Sequence, residues 1–543
     1  MVHFLVEIDG SVNSDLQMKL RDITMESTIH LPDVAVVSFH DKGMKLVDSG
    51  LFEVGKSLKI LSRENNKDKR IFDGEIIQVE PQFSYPNIYM TVRAFDRLHR
   101  LNRGKYTRDF QNMSDADIAK KIAAEMKLGS SKIEATSPIH QYVFQDNETN
   151  LEFLQKRAEN IGYTVFVRDK DLHFEKPQKS DVDDEIELNW GQDGLMDFQP
   201  QLTTLDQHTE FEVRGWDSDK KKAIVARATK GESQPDISET DNTGQAQKAG
   251  GKAVRVLSTT IRNQSVADQL VKAEANRNSG GFVQAEGTCG GNPSIVAGAK
   301  INIPNIGDKF KGTYVVTHAT HRYNTSKSYT TDFSISAQHT NTLMAMLENA
   351  GGESGSRAGF MVGIVTNCDD PKDLGRVKVK FPALSEDKES DWARVVGIGA
   401  GKGRGFEWIP DVNDEVLVGF EQGDIHLPYI MGGLWNGVDT PYKKKGDYLE
   451  GGHVVRRYIQ TNNGKSEDSH LIIIDDSSGS PGITISDSKG NIIHIDTKEN
   501  KIQIHAKGDV EIKADKNLEL KGQNVNITGD TEVSIKAPQI NIG

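Results

Sequence analysis

The sequence predicts a mainly β protein: a mixed α+β N-terminal region, then a small β-barrel, then a C-terminal β-helix. Three observations predict it. Strand-like alternation recurs through the first 345 residues, interrupted by helices with clear caps. Short apolar runs separated by turn residues follow a glycine-rich linker. Finally, pairs of aliphatic residues repeat at a nearly constant step to the end of the sequence.

In the first region, Phe4, Val6 and Ile8 alternate with polar neighbours up to Asp9-Gly10, as do Ile88, Met90, Val92 and Ala94. Period-two alternation places such residues on one face of a half-buried strand. Ser114 and Asp117 form an N-cap pair before Ile118, Ile122 and Met126, with a stop at Gly129. Thr149 and Glu152 read as a capping box before Leu151, Leu154, Ala158 and Ile161, closed by Gly162. A third helix follows Ser265 through Val266, Leu270 and Ala273 to Gly280-Gly281. The polar stretch Glu232 to Gly251 is expected to be a long exposed loop.

Residues 348–359, with their Gly, Ser and Ala, are expected to be a linker. Beyond it, five short strands are predicted at Phe360 to Thr366, Arg376 to Phe381, Asp391 to Val396, Glu415 to Phe420 and Pro428 to Met431. Their spacing is that of a small barrel.

The tail carries the strongest pattern. Ile502/Ile504, Val510/Ile512, Leu518/Leu520, Val525/Ile527, Val533/Ile535 and Ile540/Ile542 recur at steps of 8, 8, 7, 8 and 7 residues. Gly508, Asn517, Gly522, Gly529, Asp530 and Pro538 lie between them and favour turns. Each unit is one short strand, apolar on one face, plus a turn. Ile483/Ile485 and Ile493/Ile495 extend the pattern backwards less regularly. No second apolar layer exists in the tail, so each face must meet others of its kind. One chain coiling with three units per turn satisfies this, and so do three chains forming a triangular prism.

Composition excludes several classes. A chain of 543 residues exceeds one hydrophobic core. A net charge of -13 argues against nucleic acid as a partner. Cys289 and Cys368 are too few for a disulfide framework and are expected to be free, buried thiols. No apolar run reaches the roughly 18 residues that span a bilayer. The first residues read as a strand rather than a signal peptide, so synthesis in the cytoplasm is expected.

The middle region resembles the OB-fold of phage tail spikes and of the valine–glycine-repeat (VgrG) spikes of type VI secretion. The resemblance rests on Gly363-Ile364-Val365, on Asp370-Pro371 with Leu374 to Val379, and on Phe381-Pro382. It continues through Ser390 to Arg394, Ile409-Pro410, Asp414 to Val418, Gly423-Asp424 through Pro428, and Gly432 to Gly437. Upstream, Gln145 to Phe174 and Gly298 to Phe333 are similar to phage late-control and tail-hub proteins. The resemblance implies tail-hub-like domains, β-barrels with a helical insert, over 1–347. It implies an OB-fold collar over 360–440, a connector over 441–470 and a trimeric β-helix needle over 471–543. The twelve tail residues named above would form the trimer core of that needle.

A structural, non-enzymatic spike of a contractile injection machine follows, adapting a hexameric tube to a threefold membrane-puncturing needle. Its expected partners are two further copies of the chain, inner-tube and baseplate proteins at the hub, and effector cargo. It meets the target membrane mechanically and is assembled into a phage-tail-like particle that leaves the cell on firing. Since the sequence ends directly after a strand pair, a PAAR-like tip protein is expected at the C-terminal end. The short stretch between Tyr442 and Leu471 leaves no room for the lysozyme domain of some phage relatives.

No metal or cofactor site is expected. Gly397 to Gly405 lacks the Ser or Thr that a phosphate loop needs, because Gly403 follows Lys402. His318 and His321 fall on opposite faces of a strand. His494 and His505 flank the inward isoleucines and should face solvent. Asp414/Glu415 and Asp475/Asp476 are adjacent acids on turns, not carboxylates facing each other across a cleft. The rival reading is a polysaccharide-degrading β-helix enzyme with an accessory OB domain, but steps of seven or eight residues leave no loops for a groove.

Overall fold

The computed structural model describes residues 3–541 apart from 65–66, 169, 177–184, 192–193, 205–206, 218–219, 221, 230, 232–235, 238–241, 259–260, 262, 326, 337–358, 384–387 and 463–468. All but the last residue of the expected linker (348–359) thus lies outside the described residues. The chain divides into two compact units, Met1–Leu434 and Trp435–Gly543.

The first unit is organised by one eleven-stranded sheet. Alternating strands His3–Ile8, Leu20–Thr28, Val34–His40 and Asn87–Phe95 bury Phe4, Val6, Ile23, Met25, Val37, Phe39, Met90 and Val92 in a first core. A second core gathers Val283, Cys289, Ile301, Tyr314 and Phe333. The two ends of the region expected as hub (1–347) share this sheet, because His318–Asn324 pairs antiparallel with Leu20–Thr28.

Between these β regions sits the mixed insert. Helix Asp115–Glu125 begins with a capping box between Ser114 and Asp117, and helix Asn150–Ile161 with one between Thr149 and Glu152. Gly162 ends the latter at φ 71°, a left-handed conformation that costs glycine nothing. Ile118, Ile122, Leu151, Leu154 and Ala158 face a sheet of Gly129–Ile133, Thr164–Arg168 and Asp171–Glu175. Helix Gln264–Gly280 starts earlier than expected, since the Asn263 side chain accepts from the Ser265 amide and is the cap. It covers a three-stranded sheet, Glu210–Asp217 between Lys222–Ala228 and Val254–Ser258, through Ala267, Val271 and Ala275.

The expected loop at Glu232 to Gly251 is corrected. Asp236–Ile237 pairs with Gly312–Val315, and Asn242–Gly250 is a helix. Its Gln, Ala and Lys residues favour helix despite low hydrophobicity, and Ala246 is buried.

The five strands expected after the linker are present as Met361–Asn367, Lys378–Lys380, Arg394–Val395, Glu415–Phe420 and Pro428–Gly433. Bridges Val377–Ala393 and Lys380–Glu389 tie the first strand in sheet order to the segment leading into the last. Val365, Val377, Val379, Val416, Val418 and Ile430 fill the interior. One carboxylate organises the turn that opens the barrel. Asp370 accepts from the Lys372, Leu374 and Arg376 amides and forms a two-pronged pair with the Arg376 guanidinium at 2.6 and 2.9 Å. These donors hold its carboxyl far below the usual range, with Arg376 the largest cause. The barrel meets the insert through Tyr142 Oη donating to the Glu389 carbonyl (2.7 Å), Lys388 with Asp109 (3.0 Å), and His426 against the Phe144 backbone.

In the second unit, Arg456–Gln460, Leu471–Asp475, Gly482–Ser486, Ile492–Asp496 and Lys501–His505 form a consecutive antiparallel sheet. The sheet therefore takes in a strand from the stretch expected as connector (441–470). Residues 506–541 form no strand pairs within the chain.

Asp370→Ala should destabilise the barrel by about 3–5 kcal/mol, since it leaves Arg376 and three amides without their acceptor. The wild-type contribution is present above the ordinary carboxylate pKa and lost as pH falls through the depressed folded value. Thermal unfolding at pH 7 and in strong acid checks both. A variant that melts like wild type at pH 7 would contradict the assignment.

Candidate functional site: the aliphatic ladder of the tail

In the tail sheet, alternation and register put isoleucines directly opposite one another. Ile472 faces Ile485 and Ile474 faces Ile483. Ile483 then faces Ile495, and Ile485 faces Ile493. Ile493 meets Ile504, and Ile495 meets Ile502. One face is thus a continuous isoleucine ladder that runs into the first expected core pair. Cross-strand β-branched pairs are favourable contacts in their own right. The opposite face carries Tyr458, Ile473, Thr484, His494 and Gln503, with Thr484 Oγ1 and His494 Nδ1 at 2.9 Å. His494 is half-buried and His505 exposed.

Eleven of the twelve expected core residues are described. Ile502, Ile504, Val510, Ile512, Leu518, Leu520, Val525, Ile527, Val533, Ile535 and Ile540 are all exposed, between 49% and 69%. Ile542 lies outside the described residues. Sequence reasoning named the Ile483/Ile485 row but missed the first row of the ladder, Ile472 and Ile474. Leu471-Ile-Ile-Ile is apolar throughout, so alternation vanishes, and only pairing to Ile483 and Ile485 shows which side Ile472 and Ile474 take.

The motifs set aside earlier fall as follows. Ala400–Gly401 and Arg404–Gly405 make a small exposed hairpin turning at Gly403. His321 is buried, with Nδ1 at 2.7 Å from Tyr329 Oη, and burial pushes its pKa down to about 4. His318 instead lies beside Thr320 Oγ1. Asp414 accepts from the Asp411 amide, while Asp475 pairs with Arg456 at 2.6 Å. Cys289 is a buried free thiol, pushed up to about 12 by burial. Cys368 is also free but only half-buried, not buried as expected, and donates to the Pro410 carbonyl.

A second feature lies in the hub, where a cavity of about 640 Å³ is lined by Asp33, Asp96, Lys132, Phe166, Arg168 and His173, among others. The Asp33 carboxylate accepts from the Thr28 amide, and Asp96 from the Leu98 amide. Burial raises Asp33 to about 6, and burial together with the Asp33 charge raises Asp96 well above the usual range.

Comparison with known proteins places this architecture. The family model "Alg8 N-terminal domain" matches residues 1–325. The model "Type VI secretion system/phage-baseplate injector OB domain" matches residues 361–435. Type VI secretion system spike protein VgrG3 of Vibrio cholerae is 31% identical over 122 residues, 22% of this chain and 11% of that protein. Actin cross-linking toxin VgrG1 of Vibrio cholerae is 30% identical over 116 residues, 21% of this chain and 10% of that protein. The matched stretches thus span only about a tenth of these relatives. The solved Francisella PdpA-VgrG complex shares the fold at a TM-score of 0.55 and 10% identity, covering 93% of this chain and 88% of that one. The chain is thus similar to VgrG spike proteins in sequence over part of its length and in fold over most of it. It belongs to the Alg8 N-terminal domain family.

The raised carboxyls of the hub cavity make a pH prediction. As pH rises from the ordinary carboxylate range, the unfolded chain ionises first, so this pair's contribution falls until the folded groups ionise too. Asp96→Asn keeps an oxygen for the Leu98 amide and removes that penalty. Its melting point relative to wild type should therefore rise more at pH 7.5 than at pH 4.5. Calorimetry at the two pH values checks this, and the opposite ordering would contradict the placement.

Proposed function

We propose that three copies of this chain form a rigid, non-enzymatic spike at the tip of a contractile injection machine. The observation that carries this reading is the aliphatic ladder, whose eleven described distal side chains stand exposed on a single chain. Burying each is worth about 1.5–3 kcal/mol, and within the described tail there is no second apolar layer to cover them. Three identical faces turned inward make a closed prism in which each copy covers the other two. Residues 1–347, 360–440 and 471–543 act as hub, collar and needle in this reading, with the needle sheet reaching back to Arg456. The hub adapts a hexameric tube to threefold symmetry.

Inner-tube and baseplate proteins are its partners at the hub, a PAAR-like tip protein at the distal rungs, and effectors travel with it. The particle is phage-tail-like and pierces the target membrane mechanically. Among the described residues no helix is long and apolar enough to cross a membrane. The turns between distal rungs are four or five residues long, which supports a rod over a catalytic groove.

Sedimentation equilibrium should give about three times the 60.0 kDa chain mass; a monomer at micromolar concentration sinks the reading. Leu520→Ser should remove about 2–3 kcal/mol per copy from the core. Because the needle's strands must separate together, that loss should appear as faster dissociation in SDS. Wild-type resistance in the variant would place the trimer's stability elsewhere.

A further inference from the structure

The barrel domain carries a second exposed apolar surface that neither its own core nor the tail ladder explains. Phe406 and Trp408 stack in parallel with ring centroids 5.9 Å apart, and both are about half exposed. The Phe406 amide bonds the Gly399 carbonyl, which sets the pair beside Ile398, exposed at 91%. On the strand side, the Val396 amide donates to the Ile430 carbonyl, joining this segment to the strand that bears exposed Met431. Exposed apolar patches mark places where proteins meet, and aromatic residues are enriched there.

Charge is distributed unevenly along the same segment. The aromatic stretch is preceded by the exposed hairpin residues Lys402 and Arg404 and followed by exposed Asp411 and Asp414. A twofold contact would bring like regions together. A head-to-tail contact in a closed ring sets the basic end of one copy against the acidic end of the next. The chain continues from this domain directly into the tail, whose ladder already calls for further copies.

We infer that the Phe406–Trp408 surface is the face on which each copy's barrel domain seats against the next copy, with Lys402 and Arg404 meeting the neighbour's acidic turn. This rests on the three-copy reading above and adds a second, polar-edged contact to the aliphatic one. It assigns Trp408 a buried position in the assembly and an exposed one in the single chain.

The test uses the full-length protein with Trp408→p-benzoylphenylalanine, irradiated after its mass has been measured. In a three-chain particle, the expected result is covalent linkage between chains, mapped by peptide analysis to the neighbour's residues 360–434. Lys402→Glu with Arg404→Glu should lower that linkage roughly threefold or more, and adding Asp411→Lys should recover part of it. A particle of three chains whose residue 408 links only within its own chain, or not at all, overturns the inference while leaving the three-copy reading intact. A single-chain mass overturns both. Because Phe406 and Trp408 lie outside the barrel core, Phe406→Ser with Trp408→Ser should keep the barrel's melting transition while losing protection of this segment from hydrogen exchange. Unchanged protection in that variant also overturns it.

Discussion

A β-strand that is apolar on one side must cover that side, and the described residues of this protein's tail supply nothing with which to do so. Ile472, Ile474, Ile483, Ile485, Ile493, Ile495, Ile502 and Ile504 line one face of a sheet in directly opposed pairs, and the rungs from Val510 to Ile540 continue the pattern without intrachain pairing. The account of assembly depends on that unmet demand. The N-terminal unit is different in kind. It gathers five internal clusters of buried apolar residues closed by the chain itself, and leaves the Phe406–Trp408 surface exposed.

The same contrast explains how the two units use polar groups. In the barrel, Asp370 collects three amides and a guanidinium, so a turn that would otherwise be loose becomes a fixed corner of the domain. In the hub insert, Asp115 is buried between Arg157 at 2.6 Å and His140 at 3.1 Å, joining the start of one helix to the neighbouring helix and strand. Buried charges of this kind are tolerated only when fully paired, and each fixes the arrangement of elements around it. In the distal tail, polar side chains are exposed, and the one ion pair among the described residues there joins Glu511 to Lys513 two positions on. The distal tail therefore has little polar specificity of its own within one chain.

Much of this was legible in the sequence because local chemistry and fold agreed. Thr149 with Glu152 and Ser114 with Asp117 signalled helix starts through capping, a purely local interaction. The barrel strands stood out because each short apolar run ends at a turn residue. What was not legible depended on distance in sequence or on ambiguous composition. His318–Asn324 pairs with Leu20–Thr28 across nearly three hundred residues, so the single hub sheet left no local trace. Helix Asn242–Gly250 is too polar and glycine-flanked to show periodicity. Arg456–Gln460 carries one strong aliphatic residue, Ile459, and becomes a strand only by pairing with Leu471–Asp475. The ladder was visible from Ile502 onward, where alternation is clean, and hidden at Leu471 to Ile474, where every residue is apolar.

The central claim is that Ile504, Ile512, Leu520 and their fellows point at one shared axis. Electron cryomicroscopy of the full-length particle, with the tail resolved in cross-section, tests it most directly. The account predicts a triangular section of three chains, with these aliphatic side chains in van der Waals contact at the centre and Glu511 and Lys513 outside. A section in which one chain closes on itself, or in which the aliphatic face points to solvent, would contradict it.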